Sequence, residues 1–234
     1  MKVGGILIPK IIHYCWFGYA ERPKSALKCI ESWKKYCPDY KIIEWNESNF
    51  DINTNGYTKM CYEKKKYAFL SDYVRLIVVN NQGGIYMDTD VEMIRSFDPL
   101  LKNKAFFGFE TKHFANTGQG FGAEPNTEIV KTMIKEYSTI QDGNHGTIGC
   151  PNLNSQALTK FGFTMNGDFQ MIDNDALFPS DYFNPYDDST GILSKTENTY
   201  SIHWYGKSWM KKTRILRNRI ARIYHRVQKK ISWK

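Results

Sequence analysis

The chain predicts an α/β fold with a mixed, mostly parallel central sheet flanked by helices, and three observations carry that prediction. The opening elements run strand, helix, strand, an order that implies a parallel pair joined by a right-handed crossover. Short β-branched or aromatic runs go on alternating with helical stretches along the chain. Hydrophobic residues make up 41% of the 234 residues and aromatics 15%, which suits a packed core and excludes a disordered chain. No internal repeat or low-complexity linker interrupts residues 1–206, so they read as one domain.

Each element has a local reason. Residues 10–16 form a β-branched, largely apolar first strand. Residues 25–36 read as a helix that ends before Pro38, and residues 41–45 as the second strand. The polar stretch 46–56 reads as a loop, with Asn55-Gly56 as a turn signal. Residues 63–79 read as a helix stopped at Gly83, where the backbone can turn left-handed. Ala68, Asp72, Arg75 and Val79 share one face of it, while Phe69, Leu70, Tyr73 and residues 76–78 supply core contacts. Short strands are expected near residues 91–94, 105–109 and 120–123, and helices over 127–137 and 153–161. Residues 141–149 and 178–191 read as loops.

The densest chemistry lies in Gly83-Gly84-Ile85-Tyr86-Met87-Asp88-Thr89-Asp90. Side chains alternate along a strand, so Asp88 and Asp90 can leave a strand end on the same side. Paired carboxylate oxygens suit Mg²⁺ or Mn²⁺, especially where phosphate oxygens complete the shell. By itself such a pair also reads as an acidic turn. Asp72 and Arg75, three apart on the preceding helix, read either as a surface ion pair or as part of the same site.

Four ordered segments together resemble a known family. They are Ile12-His13-x-x-Trp16-x-Gly18, Tyr67-Ala68-x-x-Ser71-Asp72-x-x-Arg75, Gly83-Gly84-Ile85-Tyr86-x-Asp88-x-Asp90, and Asn198-Thr199-Tyr200-Ser201-Ile202-His203-Trp204 followed by Ser208-Trp209. The chain resembles glycosyltransferase family 32, the DxD group with Och1-like mannosyltransferases and capsular polysaccharide enzymes. It is also similar to the glucosyltransferase domains of large clostridial toxins. The resemblance implies a GT-A type nucleotide-sugar-binding domain over residues 1–206. It implies a retaining, metal-dependent transfer of sugar from a nucleotide diphosphate, with a UDP-sugar as the expected donor, to a glycan or lipid-linked acceptor in capsule or surface polysaccharide synthesis. A front-face route fits, because no carboxylate stands out as a covalent nucleophile.

The resemblance also implies roles. Asp72, Arg75, Asp88 and Asp90 would be catalytic, with Asp88, Asp90 and His203 holding Mn²⁺ or Mg²⁺. Trp16 would stack on the base, and Ala68, Asp72, Arg75, Tyr86, Asp88, Asn116, Gln119, Ser208 and Trp209 would line the rest of the donor site. His13 reads as a structural histidine. The glycine-rich run from Asn116 to Ala123 lacks the lysine of a P-loop but permits close backbone approach.

The charge is uneven. The chain carries +8, yet residues 207–234 hold 11 Lys or Arg and no acid, which leaves residues 1–206 at −3. Apolar residues recur at helical spacing in that tail, so it reads as a basic amphipathic C-terminal helix. Such a helix suits an anionic membrane surface; packing on the domain and contact with nucleic acid are the competing readings, the last the least favoured. Five cysteines without a CxxC argue against a disulfide framework or a zinc knuckle. With no secretory signal and no run long enough to span a bilayer, the expected location is cytoplasmic, peripheral on the inner face of the cell membrane. Rival functions are a metal-dependent nucleotidyltransferase or phosphohydrolase, and a non-catalytic carbohydrate- or membrane-binding module.

Overall fold

The computed structural model describes residues 8–206. The tail expected to form a basic helix lies outside the described residues. In chain order the elements are β1 (Ile11–Cys15), α1 (Lys24–Tyr36), β2 (Lys41–Trp45), α2 (Gly56–Glu63), α3 (Tyr67–Gln82), β3 (Gly84–Tyr86), β4 (Val91–Met93) and β5 (Ala105–Thr111). They continue with β6 (Phe114–Asn116), β7 (Phe121–Ala123), α4 (Glu128–Lys135), α5 (Cys150–Lys160), β8 (Gln170–Ile172), β9 (Asp175–Phe178), α6 (Ser180–Phe183), β10 (Tyr186–Asp187), β11 (Ile192–Leu193) and β12 (Ser201–His203).

The main sheet runs β2-β1-β3-β7-β5-β9-β8, with β6 paired to β5. β1 pairs in parallel with both β2 and β3, and β5 pairs in parallel with β9. β7 is antiparallel to both β3 and β5, so β1, β2, β3, β5 and β9 all point one way. The sheet is therefore mixed with a dominant direction, as the opening strand–helix–strand order predicts. β4 and β12 form a separate antiparallel pair beside it.

Two apolar clusters sandwich the sheet, and strand periodicity divides the residues between them. On β5, Ala105, Phe107 and Phe109 join the cluster covered by α2 to α5, while Phe106 joins the one covered by α1 and α6. On β1, Cys15 faces the first cluster, and Ile12 and Tyr14 face the second. α1 buries Ala26, Cys29, Ile30 and Trp33, a stripe at i, i+3, i+4, i+7, and leaves its lysines in water.

Three local expectations are corrected. Asn55-Gly56, expected as a turn, starts a helix: the Asn55 side chain accepts from the Thr58 amide at 2.9 Å and caps α2. The helix expected over residues 63–79 is α3, which begins only at Tyr67; Glu63 instead ends α2, and Lys65 at φ 53 lies in the break between the two. The stretch 178–191, expected as loop, contains α6 and β10. The short strands β6, β8 and β9 were not anticipated either, because each is only three or four residues long and draws its support from its neighbours. Gly83 ends α3 as expected, at φ 65, and Gly84 follows at φ 99. A Cβ on Gly84 would lie 2.8 Å from the Ile11 carbonyl oxygen, so only glycine lets β3 lie against β1 here.

Candidate active site

Asp88 and Asp90 lie in the turn between β3 and β4 rather than on a strand. The Asp88 amide donates to the Gly118 carbonyl at 2.8 Å, and the Val91 amide donates back to the Asp88 carbonyl at 3.0 Å. The turn, not strand alternation, aims both acids at one place. It is closed from the other side by the residues after β12: the Trp204 amide donates to the Asp90 carbonyl at 3.0 Å, and the Gly206 amide to Asp90 Oδ2 at 2.6 Å. β12 thereby delivers His203, whose Nε2 sits 3.3 Å from Asp90 Oδ1. One donor atom from each of Asp88, Asp90 and His203 lies within 4.8 Å of the others.

α3 supplies the counter-charge. Arg75 is 3% exposed, and its Nη2 lies 2.9 Å from Oδ1 of Asp72 and 2.9 Å from Oδ1 of Asp88. Its Nε donates to the Ser71 carbonyl, and the guanidinium lies over the Tyr86 ring, 4.8 Å from the centroid. The Tyr86 hydroxyl donates to Asp88 Oδ1 at 3.0 Å. Tyr86 is buried, so it braces the acid from behind rather than facing a donor. Ala68 lies one turn before Asp72 on α3 and is partly buried.

Burial dominates the electrostatics, and neighbours decide the outcome. Burial pushes Asp72 up to about 6, against the pull of Arg75. Asp88 is likewise raised by burial, with Arg75 opposing and Asp90 adding to the rise. Burial presses on Asp90 in the same sense, but His203 and the Gly206 amide outweigh it and hold that carboxyl below its usual range. His203 is raised above 6.5: burial disfavours its charge, and Asp90 beside it prevails.

The residues suit a divalent cation. Asp90 Oδ1 is buried and has no hydrogen-bond partner among the described residues, the 3.3 Å approach of His203 Nε2 being too poorly aligned to count as one. Two carboxylates and an imidazole are a donor set for Mn²⁺ or Mg²⁺.

Trp16 follows β1 at its carboxyl end, where open α/β sheets place ligands. It lines a cleft of about 630 Å³ with Tyr19, Arg22, Glu44, Asn46 and Glu47. Its indole N–H donates to the Ala20 carbonyl at 2.6 Å, which fixes the ring plane. His13 is structural: Trp45 donates to its Nδ1, its Nε2 meets the Gly83 carbonyl at 2.8 Å, and burial lowers it to about 4.

The glycine-rich run comes close to the acids. Its close approach is to Asp88 and Arg75, since a Cβ on Gly118 would lie 2.1 Å from Asp88 Oδ2 and 2.9 Å from Arg75 Nη1. Asn116 Oδ1 accepts from the Gly118 amide at 2.7 Å and so shapes that loop. Gln119 is fully buried with its amide nitrogen on the Phe109 carbonyl, bracing the β5–β6 hairpin rather than joining the acids. Ser208 and Trp209 lie outside the described residues. Sequence reasoning missed Cys150, Glu110 and Tyr205. Cys150 starts α5 with its Sγ 3.5 Å from Asn116 Oδ1 and 3.8 Å from Arg75 Nη1. Glu110 and Tyr205 meet at 3.2 Å beside His203. Only the tyrosine's place two residues after His203 hinted at a role.

Residues 23–107 match the family described as the glycosyltransferase sugar-binding region containing DXD motif. Inositol phosphoceramide mannosyltransferase 3 of Schizosaccharomyces pombe is 33% identical over 103 residues, 42% of this chain but only 29% of that protein. An uncharacterized glycosyltransferase of Acanthamoeba polyphaga mimivirus is 27% identical over 217 residues, covering 87% of this chain and 84% of its own length. Among solved structures the PaToxG glycosyltransferase aligns with a TM-score of 0.51 at 22% identity, over 65% of this chain and 69% of that one, a likeness of fold. Across residues 23–107 the chain thus matches the DXD-containing sugar-binding region of glycosyltransferases, on a GT-A fold.

Proposed function

We propose that the chain is a retaining, metal-dependent glycosyltransferase that takes a hexose from a nucleotide diphosphate, a UDP-sugar first among the candidates. The observation that carries this reading is the convergence of Asp88, Asp90 and His203 beside the buried Asp72–Arg75 pair. When bound, a divalent ion supplies Lewis-acid stabilisation of the departing diphosphate. Trp16 offers its ring to the base, and the cleft around it admits a nucleoside. Arg75 fixes Asp72 and Asp88 in one geometry, so that Asp72 can accept hydrogen bonds from sugar hydroxyls. Gly118 keeps the space in front of Asp88 free of side chain. The leaving phosphate takes the acceptor's proton on the same face, in keeping with Asp72 being held by Arg75 and Asp88 and Asp90 serving the cation rather than standing as a nucleophile.

The acceptor proposed is a glycan or lipid-linked oligosaccharide of capsule or surface polysaccharide synthesis. Among the described residues no helix is long and apolar enough to cross a membrane. The 11 basic residues of 207–234 support peripheral attachment to an anionic membrane surface on the cytoplasmic side. The test is a screen of nucleotide sugars for Mn²⁺-dependent donor hydrolysis by the full chain. Release of nucleoside diphosphate, lost in an Asp88→Asn, Asp90→Asn double variant, is expected. Release of nucleoside monophosphate would favour the nucleotidyltransferase alternative, and activity unchanged in the double variant would overturn the site.

A further inference from the structure

His203 is held in an unusual way for a metal-ligating histidine. Such a ring ordinarily donates its second N–H to a carboxylate, carbonyl or water, which sets its orientation. Here Nδ1 of His203 has no hydrogen-bond partner among the described residues although it is buried. What touches the ring instead is Tyr205, stacked at 4.1 Å between centroids and 29° between planes.

Tyr205 is itself pinned. Its hydroxyl accepts from Asn184 Nδ2 at 2.6 Å and donates to Glu110 Oε1 at 3.2 Å. The same Asn184 nitrogen donates to the Glu110 carbonyl at 3.0 Å, so the residue after α6 and the edge of β5 hold the hydroxyl together. The backbone of Tyr205 is left-handed, at φ 51, a conformation that strains a non-glycine residue and persists only where surroundings impose it. That turn both lays the tyrosine over His203 and sends the next amide, Gly206, to Asp90 Oδ2.

We infer that Tyr205 is a positioning residue for the metal site: its ring, anchored by Glu110 and Asn184, orients the His203 imidazole toward Asp90 by stacking in place of the usual hydrogen bond. This rests on the reading of Asp88, Asp90 and His203 as cation ligands. Flat contact resists tilting of the imidazole, and the two anchors resist sliding of the tyrosine. Glu110 and Asn184 come from elements 74 residues apart in sequence, which makes this a tertiary brace.

The test is Mn²⁺ binding to the full chain, without donor, followed by electron paramagnetic resonance. Tyr205→Leu, which removes the flat ring, is expected to weaken Mn²⁺ about tenfold, the lower end of what outer-shell partners of metal ligands contribute. Tyr205→Phe keeps the ring and is expected to recover most of that loss. Wild-type affinity in Tyr205→Leu overturns the inference, as does Tyr205→Phe falling as far as Tyr205→Leu. Should Tyr205→Leu fail to fold, Tyr205→Met, which also lacks a flat ring, carries the test: weaker binding supports the brace and unchanged binding overturns it. If wild-type protein binds no Mn²⁺, the cation reading of the site fails first, and the inference with it.

Discussion

Arg75 on α3 and Asp88 in the β3–β4 turn are joined by a 2.9 Å contact between Nη2 and Oδ1, and the same nitrogen lies 2.9 Å from Asp72. One guanidinium therefore balances two carboxylates from different elements. It does so from a position that water barely reaches.

Arg75→Met should leave Asp72 and Asp88 facing each other without a counter-charge. Breaking a buried pair by removing one member typically costs about 3 kcal/mol or more. A lowered thermal midpoint together with lost donor hydrolysis is expected. Arg75→Lys should recover stability in part but not activity, because an ammonium lacks the Nε–H that anchors on the Ser71 carbonyl and the flat face laid over Tyr86. An unaltered melting curve in Arg75→Met would refute the balancing role.

Asp72 titrates near 6 in the folded chain against an ordinary value of 3.8. A carboxyl raised by folding stabilises the native state most below about pH 4, and that contribution is lost as pH climbs through 6. Denaturant unfolding between pH 4 and 7 should therefore show a decline of order 2 kcal/mol in the wild type. In Asp72→Asn the decline should be shallower by that amount; parallel profiles would contradict it.

Gly118→Ala should abolish activity. The added methyl would sit 2.1 Å from Asp88 Oδ2, closer than any real contact, and cannot be accommodated without moving the acid off Arg75. Kinetics of donor hydrolysis in a variant shown to be folded by circular dichroism measure this directly.

Trp16→Ala should act on binding more than on chemistry. Stacking of a base on an aromatic ring contributes about 1–3 kcal/mol, so donor KM should rise roughly 10- to 100-fold with kcat little changed. A fall in kcat alone, at unchanged KM, would remove Trp16 from the donor site.

Metal affinity should increase with pH. His203 holds its proton above the ordinary 6.5 in the metal-free chain, and a proton and a cation compete for the ring. Mn²⁺ titrations at pH 6 and pH 8 should show markedly tighter binding at the higher value, and His203→Ala should flatten the difference.

Much of the fold was legible because local chemistry and tertiary demand agree. β2 runs Lys41–Trp45 as its β-branched run predicts, and α1 follows its apolar stripe to the residue before Cys37-Pro38. Elsewhere local signals were outvoted. Asn55-Gly56 is a turn pair by composition, yet Asn55 is equally good as a helix cap, and the packing of Tyr57, Met60 and Cys61 into the core selects the cap. The acids were found for one reason and meet for another: not strand alternation but a turn tied at one end to Gly118 and at the other to Gly206.

By itself the amino-acid order determined the alternation of strands and helices, the identity of the paired acids, and the helix face that carries Asp72 and Arg75, because these depend on spacings of two to seven residues. Only the tertiary structure decided that Tyr86 braces an acid, that Gly118 lies against Asp88, and that Glu110, Asn184 and Tyr205 converge on His203. The approach of Gly118 to Asp88 and the bonds of Asn184 and Glu110 to Tyr205 join residues 21 to 95 positions apart. Nothing in a local pattern encodes such contacts; they exist because burial of two apolar faces forces distant segments onto the same end of one sheet.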